Sequence, residues 1–397
     1  MVAERADVVV VGGGVIGTSA AFHLARSGAG KVILLERAFL GAGASGKSGA
    51  VVRMHYSNPY DATLAQLSLP YFQNWGDMVG HGEAGFIRHG MARFAMENEV
   101  EPLRHNLDML ERCGVKTWLV QPDDFKYEWP SVNVDDVALV AWEDESGYAD
   151  PNGTVFGLAA AAEAHGAEIR INTPVLRVLL DGQRVTGVET PDGIIETNTV
   201  LLATGAFANR LLEPLGIDYG LRPNRVQVAI FRRPAAQTSP IHPVMIDGRF
   251  KMWIRPDGSV NTLAGYDHDI FGVDPDFYDE SIDWDFLVET RRRLSGRLPF
   301  MADAPMRGGW SGVLTNSPDG HIVLEQTPGY DGLFLAVGDS GTNFKTAPMI
   351  GRCLTEWIVD GAPKSVDITV FDGARFKEGR AIPGGVSYGD GPTSVFH

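Results

Sequence analysis

Three glycines and one glutamate are the residues of this chain best spaced to do chemistry. Gly12, Gly14 and Gly17 fill a G-x-G-x-x-G pattern directly after the apolar run Val8–Val11, and Glu36 follows 19 residues after Gly17. In such a pattern the first glycine permits a tight turn and the second lets backbone approach a pyrophosphate. The third lets the following helix pack closely on the strand. That helix, with Val15 and Ile16 in its first turn, turns free N–H groups and a positive dipole end toward phosphates. A carboxylate at the end of the next strand can accept hydrogen bonds from both hydroxyls of a ribose, which disfavours a 2′-phosphate there. An ordinary strand–helix turn could also use these glycines; the acidic residue at this distance favours a dinucleotide.

The elements that must position these residues are legible around them. Asp7–Val11 reads as a buried parallel strand, Val15–Ser27 as a helix whose alanines allow close packing, and "KVILLER" as the next strand. Together they predict a βαβ unit. Asp61–Val79 places Leu64, Leu67, Phe72 and Trp75 at helical spacing, interrupted by Pro70, which predicts a core stripe. Asp150 is placed to cap a helix begun by Pro151. Three strands are predicted after it, "EIRINTPVLRVLL", "RVTGVET" and "IIETNTVLLATG". Short alternating runs from Tyr219 to Trp310 predict an antiparallel sheet with one helix over Ser281–Arg297. A buried strand, "GLFLAVGD", and a last helix over Pro348–Val359 follow, and the Gly-rich tail from Pro383 reads as loose.

The totals bound the function. At 397 residues, with 44% hydrophobic and 21% charged, the chain can bury a large core. Its net charge of -16 excludes non-specific nucleic-acid binding, although a local basic pocket could still hold an anion. Cys113 and Cys353 lie far apart and outside metal-ligand spacing, so neither a disulfide framework nor a metal site is expected, and a reducing cytoplasm is the expected location. Val8–Val11 is too short for a signal-peptide core, and no apolar run is long enough to span a membrane.

Three further stretches carry a resemblance. "ERAFLGAGASGKSGAVVRMHY" follows at Glu36, where a simple NAD fold would enter its next helix. "TVLLATGAFA" spans 199–208 and "DGLFLAVGDSGTNFKTAPMIG" spans 331–351. The chain resembles the FAD-dependent amine and amino-acid oxidoreductases, the family of D-amino-acid oxidase, glycine oxidase and sarcosine oxidase, and is closest in pattern to the sarcosine-oxidase-like branch. The resemblance implies an α/β fold with a discontinuous Rossmann-like FAD-binding domain and a second α+β substrate domain built on an antiparallel sheet. It implies that Arg37, Ser45, Gly46, Lys47 and Ser48 wrap the cofactor and that Val175, Thr204 and Gly205 lie beside the nucleotide. Gly338, Gly341, Thr342, Asn343 and Lys345 would close over the ring system. A helix starting near Lys345–Met349 could turn its positive end to the flavin edge where negative charge gathers on reduction.

The resemblance also suggests a substrate site. Arg53 in "AVVRMHY" and Lys345 in "NFKTAP" fall where sarcosine oxidases bind the substrate carboxylate, a fork and a point charge forming an anion clamp. The plain alternative for each is a partner to some surface carboxylate. His55 and Tyr56 adjoin Arg53 as pocket lining or as core. Ser311 stands where the covalent cysteine would be, and Lys47 where a covalent histidine would be, so FAD is expected to be non-covalent. Leu314 replaces a glycine-oxidase arginine. Leu263 occupies the register of the oxygen-activating lysine, a role that would fall to Lys47 or Lys251. His23 reads as solvated, Trp142, Tyr148 and Trp310 as core, and His321 as near the flavin without a role.

The expected division is 1–80, 149–219 and 311–385 for the FAD domain, 81–148 and 220–310 for the substrate domain, and 386–397 for a loose tail. The expected reaction takes a hydride from a secondary amine or amino acid such as an N-alkyl glycine, giving an imine that water hydrolyses while oxygen reoxidises the flavin to yield peroxide. Only the neutral amine can lose hydride, so activity should rise with pH. Two rivals stand beside it: a dehydrogenase passing electrons to a carrier or partner subunit, and a non-catalytic FAD-binding subunit. The sequence leaves an oligomer open.

Overall fold

In a computed structural model, which describes residues 4–383 and 386–388, the four valines Val8–Val11 lie within a six-stranded sheet. Its order is Glu168–Arg170, Val32–Leu35, Val8–Val11, Val200–Leu202, Leu333–Val337 and Val323–Gln326. The first five strands are parallel and the last is antiparallel to its neighbour. Every valine of Val8–Val11 is buried because both faces of the sheet are covered. Val8 and Val10 face a helical layer made by Val15–Ser27, Pro151–Ala164 and Ala347–Asp360. Val9 and Val11 face a four-stranded sheet of Glu4–Arg5, Gly193–Glu196, Arg184–Thr190 and Arg177–Asp181. Gly351 brings the helix Ala347–Asp360 onto the first, since a Cβ there would meet Ser19 and the Ala20 backbone; this helix is not the last, as Ala374–Glu378 follows.

Local chemistry sets the element ends. The Asp150 carboxylate accepts the N–H groups of Asn152 and Gly153, and Pro151 occupies the first turn. The helix Pro59–Gln73 continues through Pro70, against expectation, because the proline sits close to its end and forfeits only the bond to the carbonyl one turn back. Leu64, Phe72 and Trp75 are core, whereas Leu67 is 41% exposed. Two of the three expected strands are each split between two sheets. Asn172 turns left-handed (φ 53°) after Glu168–Arg170, and Pro174 follows before Arg177–Asp181. Gly193–Glu196 and Val200–Leu202 part where the Thr197 hydroxyl reaches the carbonyls of Asp7 and Thr199.

The second large sheet has nine strands, with Arg222–Arg232 paired along its length to Met306–Asn316. It is antiparallel except for Val244–Asp247, which runs parallel to Met91–Ala95. No turn joins those two strands, so no turn geometry dictates their direction. Phe94, Phe125, Trp142, Phe231 and Phe286 fill one core of this sheet, and the helix Trp284–Arg297 covers it. That helix starts three residues later than expected because Asp283 is extended and pairs with Arg225 at 2.8 Å. Tyr148 is buried and Trp310 half-buried.

Two expectations are corrected here. His23 is not solvated: it is 4% exposed, with its ring against Phe22 and Tyr71, and burial pulls its pKa down to about 3. The end of the chain is not wholly loose either. Val386 exchanges both backbone hydrogen bonds with the Asn106 side chain, and Tyr388 is buried against Arg93. The remainder of that tail, 389–397, lies outside the described residues.

Candidate active site

The glycine loop is shaped for close approach. Gly12 sits at φ +112°, where a side chain would overlap the Ala203 carbonyl, and a Cβ at Gly17 would overlap the Gly12 carbonyl. A Cβ at Gly14 would lie 3.0 Å from Ser45 Oγ, and that hydroxyl accepts the Val15 N–H at 3.0 Å. Gly12, Gly14 and Ile16 are partly open to the outside, whereas Val15 and Gly17 are buried. Glu36 is 8% exposed; its two carboxylate oxygens accept the N–H groups of Gly13 at 2.7 Å and Ala38 at 2.8 Å. Each oxygen keeps a second lone pair for a hydroxyl. Beside the loop, Thr204 Oγ1 is buried with no hydrogen-bond partner, and Gly205 follows at φ 50°. The open backbone, the orphaned hydroxyl and the acidic strand end fit the ribose and pyrophosphate of a dinucleotide.

A cleft of about 1250 Å³, counting its open mouth, continues from Val15 past Ser45, Lys47 and Ser48 to Asp339, Gly341, Thr342 and Lys345. Trp310 Nε1 donates to the Lys47 carbonyl at 2.7 Å, tying the wrap to the nine-stranded sheet. Gly46 belongs to the same wrap, and a side chain there would run into Asn152. The Lys47 ammonium pairs with Glu280 at 3.1 Å and with the Tyr278 hydroxyl. Arg37 lies over the Phe207 ring and pairs with Asp276 at 2.6 Å. Ala50 and Ser340, both non-glycine, hold left-handed backbone (φ 50° and 51°) on either side of this cleft. Gly338 and Gly341 share that conformation, and Asn343 holds the Thr346 hydroxyl at 3.0 Å just before the helix Ala347–Asp360. Burial pushes the Asp339 carboxyl up to about 6.

Arg53 and Lys345 meet at one end of the cleft, although 292 residues separate them. They are 4% and 7% exposed. The Arg53 guanidinium lies 4.7 Å from the centroid of the Tyr56 ring and the Lys345 ammonium 4.9 Å from it. Lys345 Nζ donates to the Thr342 carbonyl at 2.8 Å, and the Tyr56 hydroxyl donates to the same oxygen at 2.8 Å. Burial, followed by the neighbouring Arg53 charge, holds the Lys345 amine well below its ordinary range. Glu143 stands behind; its Oε2 accepts the Met54 N–H at 3.0 Å and the Ser146 hydroxyl at 2.6 Å. Asp61 pairs with His321 at 3.0 Å; burial opposes the His321 charge, but Asp61 outweighs it and raises the pKa.

Other expected residues fall elsewhere. His55 does not line the cleft: it is 2% exposed and its Nε2 shares a 2.7 Å hydrogen bond with the Tyr388 hydroxyl. Alternation would put residues 53 and 55 on one side, but the strand ends at Val52, so that rule does not reach His55, which packs against Tyr388 instead. Val175 is half-buried against the core beneath the six-stranded sheet, two residues after Thr173, whose N–H donates to the Glu36 carbonyl at 2.8 Å. Leu263 is buried within its strand, and Lys251 sits in a left-handed turn (φ 48°); neither lines the cleft, whereas Leu314 does. The cleft wall that sequence reasoning missed includes Asn224, Gln227, Ile246, Trp253, Tyr266 and His268. The signal for Trp253 was present, since it falls between Met252 and Ile254, which face the core.

The family model for FAD dependent oxidoreductases matches residues 7–357. The 4-methylaminobutanoate oxidase (formaldehyde-forming) of Paenarthrobacter nicotinovorans is 27% identical over 94% of this chain and 47% of its own length. Mitochondrial sarcosine dehydrogenase of Homo sapiens is 26% identical over 94% of this chain and 42% of its own. The chain thus spans less than half the length of these two relatives. Among solved structures, L-proline dehydrogenase from P. horikoshii is 25% identical, with a TM-score of 0.87 over 95% of this chain and 99% of the other. Glycine oxidase from Geobacillus kaustophilus shares the fold, with a TM-score of 0.80 at 21% identity over 93% and 98% of the two chains. The chain belongs to the FAD-dependent oxidoreductase family.

Proposed function

We propose that this FAD-dependent oxidoreductase oxidises a secondary amine or amino acid bearing a carboxylate, with N-alkyl glycines and related amino acids as the substrate class. The observation that carries the reading is the pair of buried cations, Arg53 and Lys345, at one end of the cleft. Bound FAD, held by Gly12, Gly14, Val15, Glu36, Ser45 and Thr204, would supply the acceptor for two electrons. Arg53 would hold the carboxylate as a fork and Lys345 as a point charge. An arriving anion restores charge to the Lys345 amine, which burial otherwise keeps low in basicity. Trp253, Tyr266 and Ile246 exclude water from the C–H that must leave as hydride. The nitrogen gives up its proton and the carbon its hydride, leaving an imine that water converts to a carbonyl compound and a smaller amine.

Non-covalent FAD is part of the proposal. The Ser311 hydroxyl donates to the Asp279 carbonyl at 2.5 Å, and neither cysteine lines the cleft. Leu263 in the lysine register favours a second reading, a dehydrogenase that hands electrons to a carrier rather than to oxygen. Peroxide yield under air, compared with turnover on an artificial acceptor, separates the two. The test of the main reading is anaerobic bleaching of the purified yellow protein by a panel of N-substituted glycines. Absorbance unchanged across the whole panel would favour a non-catalytic FAD-binding subunit and overturn the proposal.

A further inference from the structure

Once an anion restores the Lys345 charge, it and Arg53 are two like charges buried side by side, which splay apart unless something between them fixes their positions. The only aromatic ring that both cations of this pair touch, among the described residues, is Tyr56. It is 1% exposed. Its ring face meets the Arg53 guanidinium and the Lys345 ammonium at nearly equal centroid distances, 4.7 and 4.9 Å. Its hydroxyl and Lys345 Nζ both donate to the Thr342 carbonyl, each at 2.8 Å. One side chain therefore meets Arg53 through its ring, and Lys345 through both the ring and a shared carbonyl acceptor. The negative face of an aromatic ring attracts cations, more strongly when they are desolvated. Of the carboxylates behind, Asp61 is engaged by Asn58 and His321 and Glu143 Oε2 by Ser146 and the Met54 N–H, while Glu143 Oε1 has no hydrogen-bond partner. Their charges favour both cations, whereas the Tyr56 ring touches both.

We propose that Tyr56 is the positioning residue of the anion clamp, its ring and hydroxyl fixing Arg53 and Lys345 at the spacing that accepts one carboxylate. The inference rests on the reading of Arg53 and Lys345 as carboxylate ligands. Tyr56 itself does not line the cleft, although both of its cation partners do.

Acetate is the probe, titrated into the FAD-loaded protein while flavin absorbance is followed, with acetamide as the uncharged control. Tyr56→Phe keeps the ring and loses the hydroxyl, and acetate binding should weaken about threefold to tenfold, the loss of one hydrogen bond. Replacing Tyr56 with pentafluorophenylalanine keeps the shape and drains the ring's negative face, and acetate should weaken by about a further threefold to thirtyfold. Acetamide should respond equally in all forms, and turnover should show the loss in KM rather than in kcat. Equal acetate affinity for the phenylalanine and pentafluorophenylalanine forms would overturn the proposal. If Arg53→Met and Lys345→Met also leave acetate affinity untouched, the clamp reading itself fails. If they weaken it while both Tyr56 replacements do not, only the positioning role fails.

Discussion

Arg53→Met tests the site most directly because methionine fills much of the buried stem and removes only the fork and its charge. A guanidinium about 4 Å from a carboxylate at an effective dielectric of about 20 contributes about 4 kcal/mol. Hydrogen bonds to charged groups are worth about 1.5–3 kcal/mol each. The loss should therefore be about 2–4 kcal/mol, a fall of about 30-fold to 1000-fold in kcat/KM. The substitution should also reach Lys345. After burial, the Arg53 charge is the next cause that lowers the Lys345 pKa. Removing it raises that pKa, so the carboxylate affinity that remains should persist to higher pH than the Lys345 contribution does in the parent protein. The assay is the rate of anaerobic flavin bleaching by an N-substituted glycine, run beside the same amine lacking its carboxylate, across a pH series. The reasoning fails if both amines lose rate equally, or if the glycine derivative loses none.

Two further outcomes are expected. Gly17→Ala drives a methyl into the Gly12 carbonyl, so the helix must lift from the strand; this should cost about 1–3 kcal/mol of stability and release FAD, read as a lower thermal midpoint and colourless protein. His23 and His242 are buried neutral, with pKa values pulled down to about 3 and about 4, while an unfolded histidine titrates near 6.5. The unfolded chain therefore binds more protons in this interval, and stability should fall as pH drops from about 6.5 toward 4, by up to about 1.4 kcal/mol per pH unit for each. Denaturant melts should show that limb flattened in His23→Gln, and an unchanged limb would refute the assignment.

Much of the cradle was legible because its signals are local. The glycine spacing, the Asp150–Pro151 helix start and the valine run each constrain a few consecutive residues, and each recurs in the structure. What escaped depends on partners distant in the chain. Nothing near His23 in sequence announces that Tyr71 covers it. Nothing around His55 points to Tyr388, nor around Asp61 to His321. The parallel pairing of Met91–Ala95 with Val244–Asp247 joins two strands that no turn connects. Arg53 and Lys345 were found from a motif resemblance, but the ring between them was visible only as a neighbour of Arg53 with no stated task. Trp253 carried an alternation signal, whereas Tyr266 ends the strand Asn261–Tyr266 and His268 lies in the loop before Ile270–Phe271, where no alternation marks an inward face.

The six-stranded sheet carries a consequence for how the molecule is made. Val8–Val11 finds its partner Val200–Leu202 almost 200 residues later, and that strand waits for Leu333–Val337. The loop at 338–345, which closes the cleft, comes later still. Such distant pairings are slow to form and leave apolar edges bare in the meantime. The stretch through residue 345 must therefore leave the ribosome before the cleft is complete, and nascent chains stalled short of residue 333 should emerge without bound flavin.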